Sequence, residues 1–401
     1  MYEKMTNKNN QNNNNDNYST CSSSSRSGIK LPLKDADNES NKENINNNAN
    51  QNTIINNCEK KIEITIKFKE MLDKNEKEIR IFGDKFIENN GNCSMMLEKN
   101  SSSIEGNNIK TKEDIKNIDI KKSLLITLNN LNDINDLSNM FNSCTNISSL
   151  DIKFNFDTGI ITNMSNMFLN CISLKNLKIS SNMNTSNVTD MSGLFANCKK
   201  LKKLPEISSW NTSSVINMSY MFAYCQDLEE ITDLSNWETS NVTDMSGIFS
   251  NCKKLASLPN ISEWKTHNVI KMNEIFDNCC SLQSINDISQ WQTSKVENTS
   301  FMFNHCCKIE DMSIISELNL SNVEYMNSMF AECFSLKKIP KFSNVSKTIN
   351  ISFMFFDCQK LQAPENEDFE FKFKDLAITD MKYMFYNCKL LKKNKCKNIL
   401  I

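Results

Sequence analysis

The sequence predicts an α/β repeat fold in which about ten similar turns stack as a solenoid. A Phe-x-x-Cys element recurs ten times, and its first eight copies share one 27-residue interval. A fixed period in this range is typical of repeat proteins, in which each unit buries its apolar face against its neighbours. The ten pairs are Phe141/Cys144, Phe168/Cys171, Phe195/Cys198, Phe222/Cys225, Phe249/Cys252, Phe276/Cys279, Phe303/Cys306, Phe330/Cys333, Phe355/Cys358 and Phe385/Cys388.

The segment before each cysteine has the apolar spacing of a helix. In the third copy, apolar residues stand at i, i+3, i+6, i+7 and i+10, which share one face of a helix. They are Val188, Met191, Leu194, Phe195 and Cys198. This spacing predicts a short helical return in every turn.

The segment after each cysteine has the period of a strand. In the first copy, Leu150, Ile152 and Phe154 alternate with polar residues, which is the two-residue period of a half-buried strand. Runs of Asn and Ser, such as residues 211–214, supply the bends because their side chains bond nearby backbone groups. Strands of consecutive turns are expected to pair in parallel about 4.8 Å apart, so that each position forms a column of like side chains.

The repeated motif resembles a known family. The segment 187–195, Asn-Val-Thr-Asp-Met-Ser-Gly-Leu-Phe, followed by Cys198, Leu201, Leu204 and Trp210, looks like the BspA-like leucine-rich repeat of bacterial and protist surface proteins. The resemblance implies a right-handed leucine-rich-repeat solenoid with a parallel sheet and short helical returns. It also implies binding to proteins or host surfaces, with no catalytic residues to carry over.

The resemblance covers residues 134 to about 391, and the chain departs from the pattern near its end. The interval from Phe330 to Phe355 is shorter than the others, and the interval from Phe355 to Phe385 is longer. Thr299 and Ile351 replace the first methionine of their turns. We therefore expect irregular final turns.

Composition divides the chain into three parts. Residues 1–57 are low-complexity and rich in Asn and Ser, so they are predicted to form a disordered arm. Residues 58–131 contain alternating apolar runs, which predict a small β-rich module, and residues 132–401 hold the solenoid. We expect the module to cap the first turn, since terminal repeats otherwise expose apolar surface. A separate ligand-binding role is the less favoured alternative.

Charge and hydropathy exclude several classes of partner. The net charge is −2, from 46 basic and 48 acidic residues that are well mixed. This balance predicts neither a nucleic-acid surface nor a polybasic membrane patch. No run of 18 apolar residues occurs and the first residues are polar, so neither a signal peptide nor membrane insertion is predicted. We expect a cytoplasmic protein, with the cell surface as the alternative that the family resemblance suggests.

Sixteen cysteines allow three interpretations. The ten repeated cysteines are predicted to be buried free thiols, because Cys packs well as a small apolar residue. Disulfides between stacked turns fit poorly, since parallel Cβ vectors hold the Cβ atoms too far apart. A metal site at Cys279-Cys280 and Cys306-Cys307, beside His305, is set aside because the spacing is not Cys-x-x-Cys and one residue of each pair should point inward. No metal and no cofactor are therefore predicted.

Four tryptophans occupy one repeat position, and a core column is the favoured interpretation. An aromatic binding stripe would need aromatic residues throughout, yet other copies hold Phe, Met, Leu and Val at this position. The tryptophans are Trp210, Trp237, Trp264 and Trp291, and the equivalent residues are Phe156, Met183, Leu318 and Val345.

Positions that flank the repeated leucine vary most and are the candidate interaction surface. Their charge alternates from turn to turn, which allows both ion pairing between turns and a recognition strip for a partner. The two interpretations are compatible. The residues are Lys199, Lys200, Lys202, Lys203, Asp227, Glu229, Glu230, Lys253 and Lys254; we call them the charged strip.

The sequence favours binding over catalysis. The two histidines, His267 and His305, lie at unrelated repeat positions, and no Gly-rich phosphate loop is present. We therefore predict a non-catalytic scaffold for protein–protein interaction whose protein partner is not identified. The alternative is a structural, self-assembling or adhesive surface protein that associates end to end, which the apolar terminus at residues 399–401 suggests.

Overall fold

The structure is a computed structural model. It describes residues 60–69, 80–90, 93–99, 102–106, 123–131, 134–285, 288–342, 344–362 and 376–391. The predicted arm at 1–57 and the terminal residues 399–401 lie outside the described residues. Contacts divide the chain into two units, Met1–Asn56 and Asn57–Ile401, and everything below concerns the second unit.

One sheet of six strands forms the N-terminal part of this unit. Its strand order is β3-β2-β4-β1-β5-β6, and all neighbours are antiparallel except β5 and β6, which are parallel. Within the described ranges, one short α-helix follows β1, and two 3₁₀ segments lie at Thr158–Ile160 and Ser313–Glu317. The elements are β1 (Ile62–Phe68), α1 (Asp84–Asn89), β2 (Ser94–Lys99), β3 (Ser102–Gly106), β4 (Leu124–Asn129), β5 (Ile147–Phe154) and β6 (Asn176–Ile179).

The N-terminal strands are joined to the first repeat through β1 and β5. The two strands pair antiparallel, with Ile62 opposite Phe154 and Ile66 opposite Leu150. The ring of Phe82 lies 5.7 Å from that of Phe141, which begins the aromatic column of the repeats. The sheet edge of the first repeat is thus covered, as a cap would cover it. The boundaries drawn at 58–131 and 132–401 stay a prediction.

Consecutive turns are held together by backbone hydrogen bonds. Alternate N–H groups donate to the next turn: Leu137 to the Asn163 carbonyl at 2.9 Å, and Phe141 to the Met167 carbonyl at 2.7 Å. The intervening N–H groups donate three residues back within their own turn, as Met140 does to Leu137 at 3.3 Å. The segment before the cysteine is therefore hydrogen-bonded to the neighbouring turn, as a strand would be.

The predicted helical returns are wrong for the described repeats, which contain consecutive β-turns instead. Each turn has two residues with positive φ four positions apart, such as Asn139 at 58° and Ser143 at 62°. Positive φ at the third residue of an i to i+3 turn is the property of type II turns. Apolar spacings of three and four residues are common to a helix and to a chain of such turns, so the spacing alone did not distinguish them.

The parallel sheet is also shorter than expected. Among the described residues, only the first two repeats have parallel strands, β5 and β6. Farther along, single parallel bridges link equivalent residues, in an unbroken series from Asp136 to Asp380. The result is a compact repeat domain with a regular Phe/Cys pattern and little helix.

The phenylalanines of the ten repeats form one continuous column. Neighbouring rings from Phe141 to Phe385 are 5.3–5.9 Å apart and within 18° of parallel. Centroid spacings of this size are those of offset stacked rings. Side-chain packing therefore repeats the register that the backbone hydrogen bonds set.

The tryptophans lie in the core, which confirms the prediction. All four are at most 4% exposed, and Trp237, Trp264 and Trp291 stack at 6.4 and 6.5 Å. Each of these three indoles also donates its Nε1–H to a carbonyl of the preceding turn, for example Trp264 to Leu234 at 3.2 Å. The column thus contributes hydrogen bonds as well as apolar area.

The ten repeated cysteines, which we call the cysteine ladder, are free and buried, as predicted. The sequence did not indicate their second property, which is that each thiol from Cys171 onward approaches the phenylalanine carbonyl of the preceding turn. Cys198 Sγ donates to the Phe168 carbonyl at 3.2 Å, and the same contact recurs to the last turn. The position therefore selects a small side chain that is also a weak donor.

Substitutions at Trp264 test the tryptophan column. Trp264→Phe removes the indole N–H and part of the ring, so we expect the free energy of unfolding to fall by about 1–2 kcal/mol. Trp264→Ala removes the whole ring and should cost about 3–5 kcal/mol. Urea denaturation followed by circular dichroism measures both. If Trp264→Ala unfolded at the urea concentration of the wild type, the column would not belong to the core.

Candidate functional site

Asp227 is the centre of the charged strip. Its carboxylate pairs with Lys200 of the preceding turn at 3.5 Å and with Lys254 of the following turn at 2.6 Å. The hydrogen bond from Lys254 is the main reason that the pKa of Asp227 lies below its ordinary value. Two lysines from different turns therefore share one carboxylate.

The outer edge of the strip is paired in the same way. Lys202 contacts Glu229 at 3.0 Å, and Lys203 pairs with Glu230. All four side chains are at least half exposed, so solvent screens each pair and its contribution to stability is small. The ion-pairing interpretation is thus realised in the structure. Recognition by a partner stays a prediction.

A second group of side chains lies two turns farther along. The structure brings Cys280, His305 and Cys307 together, with one ligand atom of each within 4.8 Å of the others. Cys279 and Cys306 point inward and are fully buried, as the sequence analysis expected. The other member of each pair points outward instead. We call Cys280, His305 and Cys307 the thiol–imidazole cluster.

His305 is held in place by the repeat backbone and by Glu332. Its φ is 56°, and it occupies a left-handed position that Asn fills in several other turns, including Asn278. Its Nδ1 lies 2.8 Å from Glu332 Oε2. Nε2 is therefore the ring nitrogen that remains available to the thiols. Sequence reasoning missed Glu332, although it occupies the same repeat position as His305 in the next turn.

The cluster stabilises a thiolate beside an imidazolium. Hydrogen bonds from Cys307 and His305 lower the pKa of Cys280 to about 5. Hydrogen bonds with Cys280 and Glu332 raise the pKa of His305 to about 10. The pKa of Cys307 rises because it donates to Cys280. These shifts favour a thiolate at Cys280 and an imidazolium at His305. Cys280 Sγ also lies 2.9 Å from Asn278 Oδ1, to which it donates when it is protonated.

The charged groups around the cluster have opposite signs. Lys253, on the turn before, contributes to the lowered pKa of Cys280. Burial raises the pKa of Asp277 to about 7, although Asn304 Nδ2 donates to its Oδ1 at 2.6 Å. The electrostatic surroundings of the cluster therefore include a lysine and a buried carboxyl group.

Alkylation of the metal-free chain tests the thiolate assignment. Iodoacetamide should label Cys280 faster than any cysteine of the ladder, because the thiolate is the reactive form. The rate should stay high as the pH falls from about 8 to about 6, since the pKa is near 5. His305→Gln should remove this low-pH reactivity.

Cys252 is the internal control, because burial raises its pKa well above the ordinary value. It should react only after denaturation. Peptide mass spectrometry gives both rates in one sample, and equal native rates at Cys280 and Cys252 would contradict the assignment.

No helix among the described residues has the length and hydropathy that a membrane span requires. Neither the curated proteins nor the solved structures contain a match to this chain. Three tandem segments, residues 135–232, 226–339 and 308–398, match the family described as "Mycoplasma protein of unknown function, DUF285". These segments cover more than half of the chain, which therefore belongs to this family.

Proposed function

We propose that the protein is a non-catalytic scaffold that binds a protein partner through a right-handed leucine-rich-repeat solenoid. The observation that carries this proposal is the contrast between inner and outer positions of the repeats. Phe, Cys and Trp columns recur inside with nearly constant geometry. The exposed residues that flank the repeated leucine change from turn to turn.

Constant inner columns are a requirement of stacking, because each turn packs only on its neighbours. Information for a partner can then reside only in the outer positions. In the charged strip these are Lys, Asp and Glu side chains arranged in pairs across three turns. Arranged charges of this kind contribute more to the specificity and rate of association than to stability.

The proposal includes a cytoplasmic location, which the free thiols of the cysteine ladder favour because a reducing compartment preserves them. It also includes the covering of the first turn by the N-terminal strands, which the pairing of β1 with β5 supports.

Charge reversal on the strip tests the binding proposal. The double variant Lys202→Glu/Lys203→Glu should lose captured partner by about tenfold or more, because a surface complementary to the two lysines then meets the opposite charge. Its melting temperature should change little, since both lysines are exposed. The full chain serves as bait in a lysate of its own cells, with quantitative mass spectrometry as the readout.

Lys337→Glu/Lys338→Glu is the matched control. These lysines occupy the same two repeat positions five turns later, and Lys337 likewise pairs with a glutamate, Glu310. Partners specific to the strip should be retained by this control. If both double variants captured the same proteins in the same amounts, the charged strip would not be the recognition surface.

A second candidate function, end-to-end self-association, is favoured by the last described turn. It exposes four large apolar side chains by 45–58%: Met381, Tyr383, Tyr386 and Leu390. Tyr383 already stacks on Phe353 at 5.2 Å, and Tyr386 stacks on Phe356 at 5.4 Å. The outer faces of these two rings therefore offer the same kind of contact to another turn.

Mass measurement across a concentration series tests this candidate. If ends associate, the mass should rise above the 46.1 kDa of one chain between about 1 and 100 μM, since weak interfaces form in that range. Tyr383→Lys/Tyr386→Lys should abolish the rise. Tyr325→Lys, at a tyrosine 41% exposed within the repeats, should not. A constant mass of one chain throughout would exclude self-association.

A further inference from the structure

We propose that Cys280, His305 and Cys307 form a binding site for one zinc-class divalent ion, with three protein ligands and a fourth position open to water. The structure holds one ligand atom of each residue within 4.8 Å of the others. Because Nδ1 of His305 is bonded to Glu332, we assign Nε2 to the ion, together with the two Sγ atoms. Two thiolates, one imidazole and one open position are an established ligand set for zinc.

The distances require only a small adjustment. Tetrahedral zinc with Zn–S bonds of about 2.3 Å places two sulfurs about 3.8 Å apart. The ligand atoms therefore need to approach one another by about 1 Å at most. All three side chains are half-buried and lie outside the inner columns. We therefore expect side-chain rotation to bring the ligand atoms together, with Cys280 Sγ leaving its 2.9 Å contact with Asn278 Oδ1. The backbone hydrogen bonds of the turns stay intact.

The histidine is already oriented as a metal ligand would be. Glu332 holds Nδ1 at 2.8 Å, which leaves Nε2 for the ion. A carboxylate on the second ring nitrogen is a frequent outer-shell partner of metal-bound histidine, since it fixes the ring and raises its basicity. Glu332 is thus a positioning residue rather than a ligand.

The ligand types decide which ion is bound. Sulfur and nitrogen donors favour zinc and similar ions over magnesium and calcium, which prefer oxygen. Two thiolates neutralise a divalent charge, and the ion replaces the protons that the thiols and the imidazole share.

The repeat itself does not require these residues. Cys279 and Cys306 already fill the cysteine ladder, and each donates to a phenylalanine carbonyl at 3.2 Å. The next position along holds Lys253 in the preceding turn and Phe334 in the following one. A second cysteine occurs only in two adjacent turns, with the histidine between them in sequence. Packing therefore does not account for the cluster.

Metal titration of the full chain tests the site. The protein is stripped with a chelator, kept reduced, and titrated with Zn²⁺ against a chromophoric competitor and with Co²⁺ by absorption. The wild type should bind one more equivalent of Zn²⁺ per chain than the double variant Cys280→Ser/Cys307→Ser. Its Co²⁺ complex should show a thiolate charge-transfer band and tetrahedral visible bands that the variant lacks.

The chain offers a matched control for the loss of two thiols. The double variant Cys21→Ser/Cys58→Ser should bind as many equivalents of Zn²⁺ as the wild type and should keep the Co²⁺ bands. Glu332→Gln should weaken Zn²⁺ binding by about 10–100-fold while the Co²⁺ bands keep their positions. Zn²⁺ should raise the melting temperature of the wild type but not that of Cys280→Ser/Cys307→Ser, because only the former binds the ion when folded.

Two outcomes would overturn the proposal. One is equal stoichiometry for the wild type and Cys280→Ser/Cys307→Ser, provided that both melt cooperatively without added metal. The other is a Co²⁺ complex of the wild type without tetrahedral bands, together with a Cys280–Cys307 disulfide in chain purified without reductant. That second result would assign the two thiols to redox chemistry instead.

Discussion

The register between consecutive turns is the constraint on which the rest of the structure depends. Backbone N–H groups of each turn donate to fixed carbonyls of the next, and the aromatic column follows the same register. The register persists at the end of the chain, where the interval between repeats first shortens and then lengthens. Phe355 stacks on Phe330 at 5.3 Å and on Phe385 at 5.4 Å. The unequal intervals therefore leave the aromatic column and the cysteine ladder regular as far as the last described turn.

A fixed register also explains why several inner columns are polar. Each stacked turn carries carbonyl groups into the interior, and buried carbonyls need donors. Thr185 donates its hydroxyl to the Asn211 carbonyl at 2.9 Å, Cys198 its thiol to Phe168, and Trp237 its indole N–H to Ile207. Cys, Thr and Trp are thus apolar enough to pack and still supply one donor each. Ala, Val or Phe would pack without that hydrogen bond.

The sequence predicted the columns better than the backbone between them. Period, burial of Phe and Trp, and free thiols follow from which residues recur. A helix was predicted because consecutive type II turns bury the same residues as a helix would. The positive φ angles that distinguish the turns from a helix, at Asn139 and Ser143, do not change the spacing of the apolar residues. The cluster was considered and set aside for a different reason. The argument that Cys279 and Cys306 point inward was right, but the outward cysteines of both turns then meet at His305.

The thiol–imidazole cluster depends on which turns are adjacent, whereas the cysteine ladder does not. Every inner column would survive the insertion of one more repeat between the turns of Cys280 and Cys307, because each turn contacts only its neighbours. The two thiols would then be separated by two turn spacings, about 9.6 Å, and could not share an ion or a proton. Stability of this fold thus tolerates changes in repeat number, whereas chemistry at its surface depends on which turns are adjacent. A departure from the repeat in two neighbouring turns is accordingly stronger evidence of a site than any residue that recurs in all of them.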